Sequence, residues 1–98
     1  CGRWTGVFSG MGTTDKDKRG FIIESNGTIQ YIVSINNDSL SPTSNVSYDA
    51  TTLTITFTTA GGDSDIIWTL VYNAEKQTIT VDGRDEENRS WTATLTKE

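Results

Sequence analysis

The chain of 98 residues contains no histidine, one cysteine, one proline and one methionine. Without histidine, neither a Ser-His-Asp triad nor a Cys-His pair can be assembled. One thiol and no imidazole cannot supply the ligands of a structural zinc site. The single cysteine, Cys1, has no partner for an internal disulfide. Cations are scarce: lysine and arginine total 8 against 13 aspartates and glutamates, for a net charge of -5. They form no basic stripe, which argues against a nucleic-acid partner, because phosphates are neutralised by clustered positive charge. The same scarcity argues against electrostatic docking on anionic lipid. The longest apolar run, "IIWTLVY" from Ile66 to Tyr72, is interrupted by Thr69 and falls far short of the ~20 residues of a membrane-spanning helix. The glycine-bearing "GVFSGMG" lacks the Lys-Ser/Thr ending of a phosphate-binding loop.

What remains is a period of two. "RWTGVFS" puts Trp4, Gly6 and Phe8 on one face of a strand and Thr5, Val7 and Ser9 on the other. "FIIES" is a short strand, and Asn26-Gly27 marks a hairpin leading into "TIQYIVSI", with Ile29, Tyr31, Val33 and Ile35 inward. Asn36 to Asn45, rich in Asn and Ser, has the composition of a loop. "VSYDA" and "TLTITFT" are strands about a tight turn, with Tyr48, Leu53, Ile55 and Phe57 inward. "IIWTLVY", "QTITVD" and "SWTATLT" follow, separated by "NAEK" and the charged "GRDEENR". No ten-residue stretch carries a helical apolar period.

About eight short antiparallel strands, each with one apolar face, must hide that face within a single domain of this length. The expected fold is all-β, a small up-and-down barrel of lipocalin or avidin type, with a two-sheet sandwich as the alternative. A barrel of eight strands has an interior that side chains can fill or that can hold one small ligand. Each tryptophan is followed by threonine: Trp4-Thr5, Trp68-Thr69 and Trp91-Thr92. Alternation accounts for this, with the ring turned inward and the β-branched polar residue turned to water. Trp4 and Trp91, on the first and last strands, are expected to pack together where the barrel closes.

"GRWTGVF", "YDATTLTITF" and "WTATLTK" together resemble the small lipocalin-like lipoproteins of Bacteroidetes-type bacteria. Gly2-Arg3-Trp4 also matches the Gly-x-Trp opening of the wider lipocalin and avidin group. The resemblance implies a secreted, lipid-anchored barrel, at the outer membrane and facing periplasm or exterior. A Cys1-Gly2 start is what such a protein shows after removal of its signal peptide, and Cys1 would carry the lipid. Residues 1–2 are then the anchor and 3–98 a single barrel domain. The membrane would be met only through that lipid.

Other chemistry finds little support. "DKDKRG" (Asp15 to Gly20) opens like a calcium loop, but Arg19 and Asn26 stand where acidic ligands are needed. The acidic turns Gly61 to Asp65 and Asp82 to Asn88 suit hairpin tips. Carboxylates in such turns do not face each other across a cleft, as glycoside hydrolysis requires. Four Asn-x-Ser/Thr triplets, at Asn26, Asn37, Asn45 and Asn88, lie in turns and would accept glycans only in a eukaryotic secretory route. No enzyme, metal or cofactor is expected. The leading expectation is a monomeric binding module for a small apolar or amphipathic ligand, lined by Trp4, Tyr31, Phe57, Trp68 and Trp91. The alternative is a solid barrel whose loops, Gly10 to Gly20 and Asn36 to Asn45, engage a protein partner or inhibit a protease.

Overall fold

Alternation of apolar and β-branched polar residues produces strands throughout. The computed structural model describes residues 2–10, 18–34, 39–60 and 65–98, and among these there is no helix. The strands are β1 (Gly2–Val7), β2 (Ser9–Gly10), β3 (Lys18–Ile23), β4 (Ile29–Ser34), β5 (Ser39–Pro42), β6 (Ser44–Asp49), β7 (Thr54–Thr59), β8 (Ile66–Asn73), β9 (Thr78–Asp85) and β10 (Ser90–Lys97). All belong to one antiparallel sheet in the order β5-β4-β3-β1-β10-β9-β8-β7-β6, with β2 also on β10. The sheet curls into a nearly closed up-and-down barrel, not two packed sheets. Pairing of β1 already reaches Gly2, opposite Ile23.

Two of the ten segments continue their predecessors. β1 and β2 lie in one register on β10, Thr5 opposite Thr96 and Ser9 opposite Thr92, with Phe8 between them. β5 and β6 are separated only by Thr43. β5 pairs with β4 (Gln30 opposite Pro42), and β6 pairs with β7 (Tyr48 opposite Ile55). One bent strand therefore passes from one end of the sheet to the other, and the wall is closed there by the chain itself. The Thr43 hydroxyl donates to the Ile29 carbonyl over 2.7 Å, where this strand leaves β4. Asn36 to Asn45, expected as a loop, thus contributes β5 and the start of β6. Its Asn- and Ser-rich composition masks strand pairing, and Pro42 sits at a strand end, where a missing N–H is tolerated.

The interior holds Trp4, Phe8, Phe21, Ile29, Phe57, Trp68, Leu70, Ile79, Val81 and Leu95. Strands β1 and β10 are neighbours as expected, but Trp4 faces Lys97 while Trp91 faces Gly10. The antiparallel register thus sends the two tryptophans to opposite ends of the barrel. The outer face is not uniformly wet. Thr5, Gly20 and Ile32 form one cross-strand row there and all three are buried, so Thr5 departs from its expected exposure.

Candidate functional site: a cavity at one end of the barrel

The two ends of the barrel are built differently. At one end the inward positions are aromatic and packed. Trp68 lies 5.4 Å from Phe21, 5.7 Å from Phe8, 5.4 Å from Tyr31 and 6.4 Å from Trp91. Phe21 meets Phe57 edge to face at 5.2 Å. Such pairs add about 0.5–1.5 kcal/mol each beyond the area they bury. Register explains why the largest ring fits: Trp68 is opposite Gly83, and a Cβ there would stand 2.5 Å from the indole. The Trp68 Nε1 donates to the Thr59 hydroxyl over 2.8 Å, which satisfies both buried groups. Burial pushes the Tyr31 hydroxyl above its ordinary pKa, partly opposed by the Arg19 guanidinium that hydrogen-bonds it.

The β9–β10 turn caps this end. The Asp85 side chain is nearly inaccessible, and its carboxylate accepts from the backbone N–H of Glu87 and Arg89 and from Arg89 Nε. Desolvation works to raise its pKa. The Arg89 N–H, the Arg89 guanidinium and the Glu87 N–H outweigh it and hold the carboxyl below the usual range.

At the other end the barrel is hollow. A cavity of about 1040 Å³ opens among the β3–β4, β6–β7 and β8–β9 turns, beside Thr96 and Lys97. Trp4, Ile29, Leu70 and Ile79 form its buried floor, and Ile23 and Ile55 its wall. Val46, Tyr48, Leu53 and Tyr72 rim it, all exposed, Tyr48 by 60%. Tyr48 occupies an inward position as expected, but no opposing wall covers it. Trp4 and Tyr72 meet edge to face at 5.9 Å. Among the described residues the buried Trp4 indole N–H has no hydrogen-bond partner, a condition that costs about 1–3 kcal/mol.

Short turns hold this rim in place. Glu24 N–H donates to Thr28 O and Gly27 N–H to Glu24 O, so the expected Asn-Gly hairpin has the three-residue loop Ser25-Asn26-Gly27. Gly27 takes the left-handed position, φ 90°, which suits a type I turn followed by a bulge. The Asp49 carboxylate accepts from Thr51 N–H in the β6–β7 turn, and the Asn73 amide oxygen from Lys76 N–H in the β8–β9 turn.

Of the five aromatic residues expected to line a ligand, the structure places Trp4 in the cavity. Tyr31, Phe57, Trp68 and Trp91 belong to the packed end. The interior is therefore filled at one end and hollow at the other. The cavity's aliphatic wall was not singled out from sequence, although Ile29, Ile55, Leu70 and Ile79 occupy inward positions of the alternation. Lys97 carried a signal too: in "SWTATLTK" it continues the inward series Trp91, Ala93, Leu95. Cys1, residues 15–17 of the Asp15 to Gly20 segment, Asn37 and residues 61–64 of the Gly61 to Asp65 turn lie outside the described residues. Among the described residues no cluster of acidic or thiol groups could hold a metal ion. Comparison with known protein families, characterised proteins and solved structures finds no match to the chain.

Proposed function

We propose that the protein is a non-catalytic binding module that takes a small apolar or amphipathic ligand into the open end of its barrel. The observation that carries this reading is the cavity, whose floor and wall are aliphatic and indole surface. Its size is at the upper end of small-molecule sites, which span about 300–1,000 Å³. The packed end supports the reading as well, since a rigid scaffold holds a pocket without reorganisation on binding.

The test is mass spectrometry of the protein from its native cells, under native and denaturing conditions. The expected result is a small-molecule mass present only in the native spectrum and lost in an Ile55→Trp variant, which fills the wall. A native spectrum without added mass, from protein that also fails to bind a panel of apolar ligands, would overturn the reading.

A further inference from the structure

The mouth of the cavity differs in charge from the rest of the protein. The chain carries a net charge of -5. The charged residues lining the cavity are Glu24, Lys76 and Lys97, two cations against one anion. Among the described residues the ion pairs join Arg3 to Glu98, Arg84 to Asp82, and Arg89 to Asp85 and Glu87. Neither Lys76 nor Lys97 has a carboxylate within pairing distance there. In an acidic protein with few lysines, two unneutralised ammonium groups stand at the edge of an apolar cavity.

Their placement follows from the fold. Lys97 occupies an inward position of β10, opposite Trp4. Its stem crosses the inner face of Gly2, where a Cβ would come within 2.6 Å of Cε. The aliphatic stem thus extends the apolar wall while the ammonium reaches water at the rim. Lys76 sits in the β8–β9 turn, whose backbone is fixed by the Asn73 side chain.

We infer that the ligand is an anionic amphiphile: a single apolar chain ending in a carboxylate. The chain lies on Trp4, Ile29, Leu70 and Ile79, and the carboxylate meets Lys97 and Lys76 at the mouth. This deepens the binding-module reading and rests on it. A cationic head group is disfavoured by the same two lysines, and a wholly uncharged ligand leaves them unanswered. Because the ammonium groups stay partly in water, their contribution is modest and sensitive to salt.

The experiment compares dodecanoate, dodecanol and dodecyltrimethylammonium, titrated at low ionic strength and read by tryptophan fluorescence and calorimetry. Dodecanoate is expected to bind about tenfold more tightly than dodecanol, with the cationic analogue weakest. Lys97→Gln and Lys76→Gln are each expected to weaken dodecanoate about three- to fivefold and leave dodecanol unchanged. Added salt should shrink the wild-type preference. Equal affinities for dodecanoate and dodecanol, both abolished by Ile55→Trp, would overturn the carboxylate inference and leave the binding module standing. Absence of binding by all three would overturn both. Thermal unfolding of the two lysine variants, expected to match the wild type, guards against a misfolded protein.

Discussion

The packed end and the open end of this barrel are solved with the same backbone device and different side chains. Each has a hairpin with a three-residue loop. At the mouth, Glu24 N–H meets Thr28 O and Gly27 N–H meets Glu24 O; at the packed end, Asp85 N–H meets Arg89 O and Asn88 N–H meets Asp85 O. The left-handed residue is Gly27 in one and Asn88, φ 67°, in the other. What differs is the residue before the loop. Asp85 turns its carboxylate back over its own loop and is locked there by Arg89. Glu24 is exposed at the cavity's edge. The same contrast holds inside: six aromatic side chains interlock at one end, while aliphatic residues and Trp4 leave a void at the other. Stability is concentrated where the barrel is full, and the void is carried by a frame that does not depend on it.

Three measurements would break or sharpen that contrast. The largest effect is expected for Trp68→Ala, which removes the ring at the centre of the packed end. It should cost about 3–5 kcal/mol in chemical denaturation. A loss comparable to that of an exposed residue would show that the packed end does not support the fold. Next is Asp85→Asn, read as stability against pH. The folded pKa of Asp85 is lowered, so its contribution is complete above the ordinary aspartate value. It is lost as pH falls through the folded value. As pH falls below the ordinary aspartate value, wild-type stability should therefore drop more steeply than that of the variant, which should be less stable at neutral pH. Parallel curves would remove Asp85 from the account. The smallest effect is expected for Tyr48→Ala at the rim, within about 0.5 kcal/mol of wild type. Destabilisation on the scale of Trp68→Ala would mean that the mouth is packed as tightly as the other end.

Much of the architecture was legible in the sequence because period two is a strong signal. Trp4, Phe8, Phe57, Trp68, Leu70, Ile79, Val81 and Leu95 fall inward where alternation puts them. The first half of the bent strand, from Ser39 to Asn45, was not legible, although Val46 to Asp49 was. The strand's pairings with β4 and then β7 are local, but Asn, Ser and Pro dominate its first half and hide the strand there. Register was the second gap. That Trp4 and Trp91 part company follows from a pairing between residues at opposite ends of the chain. For the candidate site, aromatic content pointed to the wrong criterion for hollowness. Large rings fill a narrow barrel, and the void arises where Ile and Leu take the inward positions near the turns. Lys97 was the readable exception, a charge on an inward stave.

The bent strand also has a kinetic consequence. Its own pairings are local, and so is every other pairing except that of β10 with β1 and β2, which seals the first strand against the last; Glu98 N–H reaches Arg3 O over 2.9 Å. Suppose Glu98 were linked to Gly2 and the chain opened at Thr43. The strands would then run in sheet order from β6 to β5, and every hydrogen-bonded pairing would be local. The native connectivity raises the contact order of the same sheet by this one seam. Closure of the barrel therefore waits on a loop that encloses every strand between β1 and β10.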